Sequence, residues 1–320
     1  MKKMKKYLFA LLGVFLFGVI VSSTIFAGEV MVPSQTFNLG TNVDGVWDQG
    51  AQTLTIQPRW AGTGKIDRNT WIQLKVTLGL EQTALNKIEF KSGVQFPDDA
   101  SLFFKDFKSE IIFPLDQDTS NVTNMAWMFR WATNFNQPIG NWETDNVTDM
   151  NSMFWDAVKF NSDLSNWKVS KVTNMYSMFW NTPEFNSDLS RWDTKKVVNM
   201  AYVFWKAWKF NSDLSNWDTS KVTTMEWMFQ WAISFNQPIG NWETDNVTNM
   251  RAMFSWATSF NQPIGNWETD NVTNMNWMFQ WASSFNQPIG NWKTDNVTDM
   301  AAMFQWVTSF NQPIGNWKNW

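Results

Sequence analysis

The chain has 320 residues, 44% of them hydrophobic and 17% aromatic, with a net charge of −4, no histidine and no cysteine. This apolar content supports a buried core rather than disorder, and the mild, interspersed charge argues against nucleic acid as a partner. Without cysteine, stability must come from packing; without histidine, the commonest general base and metal ligand are gone.

At the start, Lys2, Lys3, Lys5 and Lys6 precede an apolar run over 7–21 and small residues up to Ala27. Residues 1–27 therefore read as a secretory signal peptide. The alternative is an uncleaved anchor, since the run is near the lower limit of a spanning helix. With no cysteine there is no lipoprotein attachment, and nothing after the last repeat reads as a sorting signal. The expected product is secreted or held at the cell surface, without stable membrane insertion after cleavage.

Residues 28–115 hold strand-like runs at 52–56, 71–76, 87–90 and 110–113, with turn residues such as Gly62 and Gly64 between them. Ile88 and Ile111 lie 23 residues apart, close to the period that follows. The segment reads as an irregular, mainly β N-terminal cap leading into a repeat array.

From 116 to 320 the chain repeats. Its landmark Phe falls at 135, 160, 185, 210, 235, 260, 285 and 310, and its landmark Trp at 142, 167, 192, 217, 242, 267, 292 and 317, a 25-residue period. A fixed period in this range predicts a solenoid whose repeats bury their apolar sides against one another. Within a repeat, Phe235, Ile239 and Trp242 suit a short parallel strand, and Met250, Met253, Phe254 and Ala257, spaced i, i+3, i+4, i+7, suit one face of a two-turn helix. Thr248 is the expected N-cap, and Thr223 with Glu226 an expected capping box. Pro138, Pro238, Pro263, Pro288 and Pro313 restrict the paired part to residues such as 239–242. Asn136 and its equivalents, from Asn161 to Asn311, are the expected hydrogen-bond ladder between repeats.

The motif Phe-Asn-Gln-Pro-Ile-Gly-Asn-Trp-Glu-Thr-Asp-Asn-Val-Thr-Asn-Met followed by Met-Phe resembles the BspA-like leucine-rich-repeat surface proteins, the bacterial 26-residue-repeat family, over 119–317. The resemblance implies an exported, leucine-rich-repeat-like α/β solenoid associated with adhesion to host or matrix proteins, with no reaction and no fixed site residues. This chain differs in placing tryptophans after Met-Phe, where the family more often shows Tyr-Gly.

Those tryptophans are the candidate ligand-binding residues. Trp131, Trp231, Trp256, Trp281 and Trp306 share one position, Trp227 and Trp277 another, while Trp155, Trp180 and Trp205 are shifted by one residue. One reading is that the indoles stack and cover the outer layer; the other is an exposed stripe that meets sugar rings or a protein. Asn-Val-Thr at Asn121, Asn146, Asn246, Asn271 and Asn296 reads as structural rather than as glycosylation acceptors. The column Asp145, Asp245, Asp270 and Asp295 matches no calcium-repeat spacing, and Lys171, Lys196 and Lys221 read as a solvated face.

No metal or other cofactor is expected, and no enzyme, because a catalytic site breaks symmetry whereas these polar residues recur. Only Asp98, Asp99, Asp106 and Glu110 cluster in a way that leaves glycan-active chemistry open. The expected partner is a protein or glycan ligand on a cell or matrix surface. A bare final strand near 310–320 adds the expectation of an end-to-end homodimer.

Overall fold

The structure is a computed structural model, and it describes residues 20–21, 34–80 and 85–318. Apart from Ile20 and Val21, the expected signal peptide lies outside the described residues. No described helix is long and apolar enough to cross a membrane. The chain divides into two compact units, Met1–Pro97 with Lys108–Thr119, and Asp98–Phe107 with Ser120–Trp320.

The first unit is built on one mixed sheet. Its strands are β1 (Ile20–Val21), β2 (Gln35–Thr41), β3 (Val43–Asp48), β4 (Thr53–Pro58), β5 (Gly64–Ile66), β6 (Lys87–Phe90), β7 (Val94–Gln95) and β8 (Glu110–Ile112), in the order β7-β5-β2-β3-β4-β6-β8 with β1 on β2. β2, β3 and β4 form an antiparallel meander, whereas β4 with β6 and β6 with β8 are parallel. Ile88 pairs with Ile111 at the 23-residue offset visible in the sequence. Alternation places Leu54, Ile56, Ile88 and Phe90 in the core.

The run at 71–76, expected as a strand, is instead part of helix α1 (Arg68–Leu78). Local signals explain the outcome. The Asp67 carboxylate accepts the Thr70 N–H at 2.8 Å as an N-cap, and Gly79 ends the helix in the left-handed region at φ 62°. Trp71 is fully buried, with its ring 6.3 Å from that of Phe90.

In the second unit the two-turn helix and the short strand expected in each repeat do not form. Residues 225–232 are a run of overlapping turns. The amides of Met228, Gln230 and Ala232 donate back three residues, to the carbonyls of Met225, Trp227 and Phe229, at 2.9–3.2 Å. The alternate amides of Met225, Trp227, Phe229 and Trp231 leave the repeat and donate to Asn249, Arg251, Met253 and Ser255 of the next, at 2.8–3.0 Å. No N–H remains for an i→i−4 ladder. The spacing i, i+3, i+4, i+7 is real, but it marks the inward residues of successive turns.

Likewise 239–242 closes a turn, with the Trp242 N–H on the Ile239 carbonyl at 3.2 Å. Parallel pairing between repeats is carried by a single residue in each, from Asp99 through Asn124, Asp149, Asn174, Asn199, Thr224, Asn249 and Asn274 to Asp299. At eight of these positions the side chain accepts its own i+2 N–H at 2.8–3.1 Å, as Asn249 does from Arg251, fixing the entry to the turns. The expected caps serve this pairing too. The hydroxyls of Thr223 and Thr248 donate to the carbonyls of Val198 and Thr223, and Glu226 accepts from the Asn249 amide. Residues 100–106 already follow the pattern, with the amides of Ala100, Leu102, Phe104 and Asp106 donating to residues 124, 126, 128 and 130.

The Asn ladder forms. Asn136 accepts the Asn161 N–H at 2.8 Å, and the contact recurs at every repeat up to Asn311. These side chains are half-buried to exposed rather than buried. The Asn-Val-Thr asparagines also link repeats, as Asn246 donates to the Ser220 carbonyl at 2.7 Å.

The interior is a set of columns. Val222, Met225, Met228, Phe229, Ala232, Phe235, Ile239 and Trp242 are all buried. Phe229 stacks on Phe235 at 3.9 Å within its repeat and on Phe254 at 5.7 Å in the next. The Trp242 indole N–H donates to the Leu214 carbonyl at 3.0 Å, and the same bond recurs from Trp167 to Trp317.

Trp242→Ala should therefore cost about 3–5 kcal/mol, against under about 0.5 kcal/mol for exposed Lys171→Ala. Equal denaturation midpoints for the two variants would remove the column from the core. Far-ultraviolet circular dichroism should also fall well short of the roughly one-fifth helix that a two-turn helix in every 25-residue repeat would contribute to the whole chain.

Candidate functional site

The turn run that builds the interior also builds the outer surface. In each repeat, two residues four apart take the left-handed backbone conformation without being glycine: 127 and 131, 152 and 156, and so on to 302 and 306. All seven candidate tryptophans, Trp131, Trp227, Trp231, Trp256, Trp277, Trp281 and Trp306, occupy these positions, at φ 59–64°. Left-handed backbone costs an L-residue about 1–2 kcal/mol. It persists here because the amides on both sides are committed, one to its own turn and one to the next repeat.

The tips form two neighbouring ridges, one from residues equivalent to 126 and 127, the other from those equivalent to 130 and 131. In the second ridge Trp231 stacks on Trp256 at 4.2 Å, Trp256 on Trp281 at 4.5 Å and Trp281 on Trp306 at 5.1 Å. The shifted tryptophans also meet one another, Trp155 tilted against Trp180 at 4.6 Å and Trp180 stacked on Trp205 at 4.2 Å. Trp205 ends its run by donating to Gln230. The flat faces thus lie against neighbouring rings and the half-buried indoles present their edges, except at Trp306, which ends the run and is 58% exposed.

The first ridge is more mixed. Tyr176 meets Tyr202 edge-on at 5.5 Å, Tyr202 stacks on Trp227 at 5.8 Å, and Trp227 meets Trp277 edge-on at 6.1 Å across the small Ala252. Arg251 lies between those two indoles, its Cζ 5.1 Å from the Trp227 ring and 4.9 Å from that of Trp277. In the second ridge Arg130 is wedged between Trp131 and Trp155, at 4.0 and 4.4 Å. Trp131 also donates its indole N–H to Asp156 at 2.9 Å.

Sequence reasoning passed over Trp127, Tyr176, Tyr202, Arg130 and Arg251. Trp127 carried a usable signal, standing four whole periods before Trp227. The arginines and tyrosines interrupt their columns and left no periodic trace. Elsewhere, Asp145 of the acidic column pairs with Lys168 at 3.0 Å, and Lys171 donates to Asn146 at 2.8 Å.

Burial pushes the Tyr202 hydroxyl up from 10.0 to about 12, helped by the negative charge of Glu226 and opposed by Arg251. Because the folded value lies above the unfolded one, this contribution to stability is complete below pH 10.0 and is lost as the pH rises from there towards about 12. Tyrosinate absorbance should show one of the three tyrosines ionising near pH 12, and Tyr202→Phe should flatten the alkaline loss of stability. An unchanged alkaline limb would contradict the burial of this hydroxyl.

Inward columns and outward tips on a common period define a repeat protein. Residues 99–217, 184–269 and 236–319 match the family model described as Mycoplasma protein of unknown function, DUF285, and the chain belongs to that family. Neither the curated proteins nor the solved structures contained a match to the chain.

Proposed function

We propose that the chain is an exported binding scaffold, a leucine-rich-repeat-like solenoid related in kind to the BspA-like surface proteins, which adheres to a protein on a host, matrix or cell surface. The supporting observation is the composition of the two ridges. Tryptophan, tyrosine and arginine sit together at outward turn tips while the Phe and Met columns and the buried column from Trp142 to Trp317 already fill the interior. Those three residue types dominate the energetics of protein interfaces. Repeats give such a surface length while their interior stays constant.

The stacking geometry favours protein over glycan. A sugar ring packs on an indole face, and along the Trp231, Trp256 and Trp281 run up to the exposed Trp306 the faces are turned to one another at 4.2–5.1 Å. Edges and guanidinium groups suit the irregular side chains of a protein partner. In this reading the protein acts by binding and needs no cofactor.

Trp227→Ser with Trp277→Ser should lower retention on a panel of immobilised matrix proteins about tenfold or more, since hot-spot truncations cost ≥2 kcal/mol, without changing the thermal midpoint much. Trp256→Ser with Trp281→Ser tests the second ridge in the same assay. Full retention by both folded double variants would move the binding surface away from the turn tips.

A further inference from the structure

Arg59 in the first unit shows the usual state of an arginine, with its guanidinium against both oxygens of Asp44 at 2.6–3.1 Å. Arg130 and Arg251 differ. Each is half-buried between indoles of different repeats, each has a buried Nε without an acceptor, and neither forms an ion pair with a described residue. A planar cation held between two rings has its orientation fixed in advance, so that little side-chain freedom is lost when an anion meets its outer edge.

The repeats supply an internal control. At the position of Arg130 other repeats carry Trp155, Gln230 or Ser255, and at that of Arg251 they carry Asn151, Ala201 or Glu226, with the same turns and the same inter-repeat bonds. The fold does not need a cation at either place. The two arginines lie five repeats apart, roughly 24 Å at ~4.8 Å per repeat.

We propose that Arg130 and Arg251 are carboxylate-receiving sites for acidic side chains of the protein partner, each guanidinium taking one aspartate or glutamate between its flanking indoles. This rests on the binding role proposed above and specifies its partner chemistry. A carboxylate matches the guanidinium fork, and the surrounding indole edges offer apolar contact to the residues beside it. A densely charged polymer fits less well. The chain carries a net charge of −4, and Asp156 and Glu226 stand beside the two sites, where Asp156 accepts from Trp131 and Glu226 from Asn249. Their charge disfavours a continuous polyanion more than it does a single carboxylate.

The test is a selection of random displayed peptides on the full chain, with heparin binding measured in parallel. Peptides enriched in Asp or Glu beside apolar residues are expected, with affinity falling about tenfold or more on the doubly substituted Arg130→Gln, Arg251→Gln chain. Arg130→Lys with Arg251→Lys keeps both charges and removes the forks, so a partial loss there supports bidentate recognition and controls for a folding defect. Peptides without acidic enrichment that depend on Trp227 and Trp277 but not on the arginines overturn this inference and leave the binding role standing. Heparin binding with the same arginine dependence, and no peptide, assigns the sites to acidic polysaccharide and overturns it. No arginine-dependent binding of either kind overturns it as well.

Discussion

Everything in the repeat unit depends on where its backbone amides go. A buried N–H without an acceptor costs about 1–3 kcal/mol, and a 25-residue turn of chain with neither helix nor extended strand has many to place. The solution is alternation, one amide closing a turn behind it and the next reaching forward into the neighbouring repeat. That rhythm fixes which side chains point inward, forces two residues per repeat into the left-handed region, and lines up identical residues as columns. Phe on Phe at 5.6–5.7 Å is a consequence of backbone pairing as much as a cause of it.

The period, the inward residues, the Asn ladder and three strands of the first unit, β4, β6 and β8, were legible in the sequence, whereas β2 and β3 of the meander were not. Each legible feature rests on a pattern that survives without knowing the backbone. The helix was not, because hydrophobic spacing records only which residues face inward, and consecutive turns bring residues 225, 228, 229 and 232 inward just as a helix would. A warning was present in the length, since two turns of isolated helix are marginal. The run at 71–76 failed in the opposite direction. Alternating Ile72, Leu74 and Val76 suggested a strand, yet Asp67 and Gly79 stood at helix-capping distance on either side. For the candidate site, position was readable, and stacking of the indoles was one of two readings the register allowed. The tryptophans were found from their register, whereas the left-handed backbone that holds them at the turn tips leaves no trace in composition.

Interior and surface are decoupled within a single run of eight residues. Inward positions carry Met, Phe and Ala with little variation, while the tips change freely from Trp to Asp, Ser, Lys or Tyr. Where one tip loses its indole, the neighbouring tip takes it up, as Asp156, Asn181 and Lys206 lie beside Trp155, Trp180 and Trp205. The aromatic surface is thereby carried over from one ridge position to the next without disturbing a core contact.

The forward reach of the alternate amides also gives the chain a direction in time. During synthesis each completed repeat presents a row of donors, such as those of Met225, Trp227, Phe229 and Trp231, whose acceptors lie 24 residues further on. Until that stretch has emerged from the ribosome, water must serve in its place. Each new repeat then satisfies the open row before it and opens another, so that the unpaired row moves with the growing end. Stalling at any point would strand one such sticky edge, whatever the length already made.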